Sequence, residues 1–123
     1  MATLVDKGKE VMIAALNTSG PVHIGWGTGG STVNETDTTL NTEASENRVS
    51  GTKSVVTTTK DNDTYQVVGE MTADGTKTVD NAGLFTDTKV NDGDLVVKGG
   101  FTGVALEEND KIEFTIKIQQ TNV

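Results

Sequence analysis

The 123-residue sequence predicts one mainly β domain, an antiparallel β-sandwich or jelly-roll-like barrel with a single N-terminal helix. Three observations carry that prediction. The closing stretch sets Ile112, Phe114, Ile116 and Ile118 on one side and Lys111, Glu113, Thr115, Lys117 and Gln119 on the other. A period of two marks a strand with one buried and one solvated face. Turn signals recur at Lys60-Asp61-Asn62-Asp63, Asp74-Gly75, Asn91-Asp92-Gly93-Asp94 and Glu107-Glu108-Asn109-Asp110. They divide residues 48–119 into about five to seven short strands. Pro21 is the only proline, so the chain beyond it is free to form ladder hydrogen bonds.

The helical candidate runs from Leu4 to Asn17, centred on about residues 3–16. Leu4, Val5, Val11, Met12, Ala15 and Leu16 fall near helical spacing, with Lys7, Lys9 and Glu10 opposite. Gly8 inside it costs about 1 kcal/mol relative to Ala. Asn17-Thr18-Ser19-Gly20-Pro21 then supplies strong breaker chemistry.

Next comes Ile24-Gly25-Trp26-Gly27-Thr28-Gly29-Gly30, which holds the only Trp. Alternate glycines (Gly25, Gly27, Gly29) empty one face of an extended segment and permit a turn at its end. The spacing predicts a short strand with Trp26 anchored on a packed surface that the later strands cover. Residues 30–47 carry almost no apolar side chain besides Val33 and Leu40, so they read as a polar surface excursion pinned at Leu40. Strands are expected over Arg48–Thr59, Thr64–Met71, Lys77–Thr86 and Leu95–Val97, with a bulge or bend at Gly99-Gly100 before Phe101. In the second of these Tyr65, Val67, Gly69 and Met71 alternate with Thr64, Gln66, Val68 and Glu70, the pattern of a half-buried antiparallel strand.

The hydrophobic fraction of 33% is low against roughly 45–50%, but that range counts glycine, and 14 glycines narrow the gap. The expected core is thin, built on Val, Ile and Leu with Trp26, Phe85, Phe101 and Phe114, and a thin core leans on oligomerisation. Ten Lys and Arg against eighteen Asp and Glu give a net charge of −8, which supplies no cationic footprint for nucleic acid or an anionic membrane. With no Cys, thiolate chemistry and disulfides are unavailable. No apolar run approaches a membrane span, and the N-terminus lacks the pattern of a signal peptide.

Residue chemistry argues against an enzyme. The glycine-rich stretch lacks the Lys-Ser/Thr and the following helix of a phosphate loop. Asp61-Asn62-Asp63 and Asp92-Gly93-Asp94 lack the glycine and distal glutamate of a Ca²⁺ loop. His23 is the only His, and no Ser stands in a nucleophile-elbow context. Glu43 and Arg48 are either two exposed charges or a local ion pair that clips the excursion to the sheet. If exposed, such a pair contributes up to about 1 kcal/mol. Trp26 and Tyr65, if exposed, would suit a carbohydrate-binding module.

The order of these motifs resembles a family of small tailed-bacteriophage virion proteins. The likeness runs from about Leu16 to Ile118 and rests on a helix, a strand ending in Gly25-Trp26-Gly27-Thr28-Gly29, Asp37-Thr38-x-Leu40-x-x-Glu43 and Arg48. It continues in Asn81-Ala82-Gly83-Leu84-Phe85, Gly93-Asp94-Leu95, Phe101-Thr102-Gly103-Val104-Ala105-Leu106 and Asp110-Lys111-Ile112-Glu113-Phe114. Asn81 stands where the family has an acidic residue and Asn109 where it has Gly. The resemblance implies a structural virion part, first a capsid decoration protein, a trimer for preference, that binds the outer surface of the major capsid protein lattice. A head or tail fibre module is the alternative. It implies no catalytic residue, cofactor or metal, and synthesis in the host cytoplasm before assembly on the capsid surface. The structural or interaction residues it points to are Trp26, Gly27, Gly29, Leu40, Glu43, Arg48, Gly83 and Phe85.

Overall fold

The computed structural model describes residues 2–120; Met1 and residues 121–123, included in the single-domain reading, lie outside the described residues. Helix α1 (Asp6–Ser19) precedes seven strands: β1 (His23–Gly27), β2 (Val49–Ser50), β3 (Thr52–Val56), β4 (Thr64–Thr72), β5 (Lys77–Phe85), β6 (Leu95–Leu106) and β7 (Lys111–Gln119). They form a four-stranded sheet in the order β2-β1-β5-β6 and a three-stranded sheet in the order β3-β4-β7. All neighbours are antiparallel. The sheets pack together as a sandwich with no closed barrel.

Alternation along β1 sorts the two faces of the larger sheet. Ile24 and Trp26 point inward with their β5 partners Leu84 and Ala82, and all four are buried. They meet Tyr65, Val67 and Met71 from β4 and Phe114 from β7. Trp26 stacks edge-on against Phe114, with ring centroids 6.3 Å apart at 81°, the arrangement that ring quadrupoles favour. The predicted alternation of β4 and β7 is reproduced: Tyr65, Val67 and Met71 are buried, and Phe114 is the most buried residue of β7. Thr64 departs from it, buried because its hydroxyl bonds the Asp63 carboxylate at 2.8 Å and the Thr58 hydroxyl at 2.7 Å.

Arg48–Thr59, expected as a single strand, is two. β2 belongs to one sheet and β3 to the other, and the chain crosses between layers at Gly51. Gly51 donates its N–H to the Val22 carbonyl at 2.8 Å, and a Cβ there would stand 2.3 Å from Val67 Cγ1 and 3.0 Å from the Val68 carbonyl oxygen. Only glycine leaves room for the corner. The bulge expected near Gly99-Gly100 lies just beyond it: between the pairs Asn81–Gly100 and Val79–Val104, Asp80 alone faces Phe101, Thr102 and Gly103.

The helix is displaced from its expected bounds and turned from its expected face. It extends to Ser19 because the Thr18 hydroxyl bonds the Ala14 carbonyl at 3.1 Å and the Gly20 N–H closes on Leu16. Its buried residues are Lys9 and Ile13, with Leu16 half-buried, whereas Leu4, Val5, Val11 and Met12 are exposed. Ile13 contributes the apolar contact, and Lys9 lies along the same face on its aliphatic stem.

Substituting Gly51→Ala should cost about 1–3 kcal/mol, the range for overpacking a filled core. The urea unfolding midpoint should fall accordingly, and an unchanged midpoint would refute the role of Gly51 as the corner.

Candidate functional site

Of the residues singled out by sequence, Trp26 points into the core, and the others converge on the outer face of the larger sheet. Gly25 pairs with Gly83, Gly27 with Asn81 and His23 with Phe85, so their side-chain positions share that face. The polar excursion lies back across it. Thr28 N–H reaches the Thr42 carbonyl at 3.0 Å, Gly29 N–H the Asn41 carbonyl at 2.8 Å and Ala44 N–H the Trp26 carbonyl at 2.9 Å, with a bridge between Gly27 and Glu43. The expected surface excursion is therefore also a cover, and the glycines make room for it. A Cβ on Gly25 would lie 2.7 Å from Glu43 Oε2, one on Gly27 2.5 Å from the Asn41 carbonyl oxygen, and one on Gly29 2.5 Å from Thr42 Oγ1. Leu40 is 4% exposed and pins the excursion as expected, seated over Gly83.

Glu43 and Arg48 form an ion pair that is buried, which the sequence left open. Arg48 Nε and Nη2 each donate to one Glu43 oxygen at 2.8 Å, and the two side chains are 0% and 5% exposed. Arg48 Nη1 donates to the carbonyls of Asp87 at 2.9 Å and Asp92 at 2.7 Å. Its guanidinium carbon lies 3.4 Å from the centroid of the Phe85 ring, a cation–π contact. Glu43 Oε1 also accepts the Asn91 N–H at 3.1 Å. One guanidinium thus joins the excursion, the start of β2, the end of β5 and the turn before β6.

A second acid went unnoticed in the sequence. Glu46 is buried and accepts the Trp26 indole N–H at 3.1 Å, the Asp74 N–H at 3.1 Å and the Lys77 ammonium. Burial works against its charge, yet the Lys77 ammonium and these N–H donors outweigh it and hold the carboxyl at about 2. The legible signal was Trp26 itself, since a buried indole N–H needs an acceptor.

Asn81 and Lys98 complete the set. Asn81 is fully buried; its Oδ1 accepts the Asn41 N–H at 3.0 Å, and its Nδ2 donates to the Gly30 and Asn41 carbonyls. An amide suits this position because it offers donors as well as an acceptor, and a carboxylate would lack the donors. Lys98 Nζ donates to Asp37 at 2.8 Å, Asn41 Oδ1 at 2.8 Å and the Thr39 carbonyl at 3.1 Å. Donation from Lys98, aided by the Asn34 N–H, lowers the Asp37 carboxyl from its ordinary value.

This arrangement is chemically closed. Its ammonium and guanidinium donors are directed at carboxylates and carbonyls of the same chain, which leaves a well-fixed surface. Asp63, weighed as a Ca²⁺ ligand, accepts N–H groups from Thr58, Thr59 and Lys60, and Lys60 leads the donors that lower its carboxyl well below the ordinary range. Among the described residues no three His, Cys, Asp or Glu side chains gather as a metal would require. His23 lies 3.3 Å from the Ser50 hydroxyl beside a depression of about 140 Å³ lined by Ser19, Gly20, Pro21, Val22 and Thr86, without a carboxylate. Trp26 and Tyr65 are fully buried, so neither ring offers a stacking face. No described helix is long and apolar enough to cross a membrane. Comparison with protein-family models, curated proteins and solved structures finds no match to this chain.

Arg48→Met should cost about 3–5 kcal/mol by stranding a buried carboxylate. The double variant Glu43→Gln/Arg48→Met should cost less than Arg48→Met alone, as read from denaturant midpoints. Acid sensitivity follows from Glu46. Above its ordinary value of 4.5 both folded and unfolded chains carry it ionised, so its contribution is fully present. As pH falls from there toward about 2, only the unfolded chain takes up the proton, and stability is lost across that window. Glu46→Gln should lower stability at neutral pH and flatten, without abolishing, the acid limb of a stability–pH curve. Asp63 and Asp37, with carboxyls lowered in the same direction, keep the remainder.

Proposed function

We propose that this chain is a structural part of a tailed-phage particle, a decoration protein that binds the outer surface of the major capsid protein lattice and stabilises the shell. The observation that carries the reading beyond motif order is the outer face of α1. Val5, Val11 and Met12 are 62%, 59% and 45% exposed, and Met12 continues through Ala15, Leu16 and Pro21 to Val96 as one apolar shelf. Burying such a face against an assembled shell, but not against free subunits, stabilises the shell by linkage. A fixed polar cover and internally consumed charges suit a part that contributes surface and not chemistry. The protein works as a homo-oligomer in this reading, with no cofactor, nucleic acid or membrane.

A fibre module for host attachment would instead use the tip of the excursion, where Val33 is 42% exposed among polar residues. The buried positions of Trp26 and Tyr65 give the carbohydrate-binding alternative no support.

The test is sedimentation of the purified protein with expanded shells that lack it. Saturable binding at a fixed ratio to capsid subunits, with a raised shell melting temperature, is expected. Met12→Asp should weaken that binding at least tenfold, equivalent to about 1.4 kcal/mol, and leave the protein's own melting temperature unchanged. Recovery on tails or host cells, with none on shells, would replace decoration with the fibre reading.

A further inference from the structure

We infer that β7 is a self-complementary edge through which two copies of this chain pair antiparallel about a two-fold axis centred on Thr115, joining their three-stranded sheets into one of six. The inference rests on the strand itself and is independent of the virion reading.

β7 bonds β4 on one side only and is the terminal strand of its sheet. Natural edges are shortened, bulged, covered or interrupted by proline to prevent pairing. β2 is two residues long, β6 carries the bulge opposite Asp80, and β3 has α1 fastened beside it through Lys53 Nζ and the Thr18 carbonyl at 3.0 Å. β7 is long, unbulged and free of proline, with nine consecutive residues paired to β4 in unbroken register. The one protective device it has is charge, in Lys111, Glu113 and Lys117, and alternating signs turn that charge into a complement when two copies meet.

The ends of that ladder show which backbone groups are free. Gln120 N–H bonds the Asp63 carbonyl at 3.0 Å and Ala73 N–H bonds the Asp110 carbonyl at 2.8 Å. Hydrogen-bonded pairs alternate in an antiparallel ladder, so even-numbered β7 residues bond β4. Lys111, Glu113, Thr115, Lys117 and Gln119 therefore present their N–H and C=O groups to the open edge.

Pairing two such edges at Thr115 sets those free groups against one another and puts Glu113 of each copy directly across from Lys117 of the other. Ile112 then faces Ile118, and Phe114 faces Ile116, on the apolar side. Neither charge has an ion-pair partner among the described residues, and Glu113 stands opposite Glu70, a like-charge cross-strand pair. Lys111 bridges Glu70 at 3.5 Å, which leaves Glu113 uncompensated. A second copy brings a cation to each Glu113, and cross-strand opposite charges and Thr–Thr pairs favour that register. This contact lies at the sheet edge away from β3 and leaves the outer face of α1 free.

The test is sedimentation equilibrium in about 0.15 M salt, where a Debye length of about 8 Å screens the overall charge of −8. The chain should show a concentration-dependent monomer–dimer equilibrium. Thr115→Pro removes an N–H that points away from β4, so the variant should keep its circular dichroism spectrum and lose the dimer. Glu113→Lys and Lys117→Glu should each weaken dimerisation at least tenfold, and the double exchange Glu113→Lys/Lys117→Glu should restore it. A monomer at every concentration, a trimer, or a dimer insensitive to Thr115→Pro and to the single exchanges would overturn the inference.

Discussion

The buried guanidinium of Arg48 is the constraint on which the rest of the outer sheet face depends. An arginine taken out of water must direct its N–H groups at acceptors, and here four hydrogen bonds go to Glu43, Asp87 and Asp92. Removing such a charge from water is costly, and the pair itself is weak evidence of net stabilisation. Its effect is positional. The Glu43 carboxylate and two turn carbonyls have one arrangement that satisfies Arg48, and that arrangement holds the excursion against β1 and the turn before β6 against β5.

Glycine makes the arrangement possible. Gly25 and Gly83 face each other across β1 and β5, and both lie beneath side chains of other elements: Glu43 and Arg48 over Gly25, Leu40 over Gly83. A β-branched pair at those positions would suit the strands better by propensity. It would also lift the excursion off the sheet and separate Arg48 from its acceptors. Local strand preference is given up for close approach, and the polar network on the other side of the excursion, through Asn81, Asn41 and Lys98, follows from the same proximity.

The inner face follows a different logic. Trp26 is fully buried, but its indole N–H must be satisfied, and Glu46 reaches it from the far end of the excursion. The excursion is thereby tied to both layers, to the outer face by Leu40 and Arg48 and to the core by Glu46. This explains how a chain with 33% hydrophobic residues holds its longest irregular segment in place. Charged side chains that dispersion contacts could not anchor are fixed by charge-assisted hydrogen bonds in a partly dry setting.

Periodicity made the strands legible. β7 and β4 were readable because a period of two survives any tertiary context in which one face is buried, and β5 was placed by the turn signal before it. The alternate glycines before and after Trp26 marked a strand face emptied of side chains, and Leu40 was legible as the pin of the excursion, whereas Glu43 and Arg48 were equally readable as exposed charges. Three matters were settled only by the tertiary structure. The split of Arg48–Thr59 between two sheets depends on where Gly51 meets Val67, a contact between segments far apart in sequence. The face of α1 depends on Lys9 lying along the sheet on its stem, which hydrophobic spacing cannot register because it scores lysine as polar. The burial of Glu43, Glu46 and Arg48 was equally hidden, since a charge enters the interior only when distant partners are already in place to receive it.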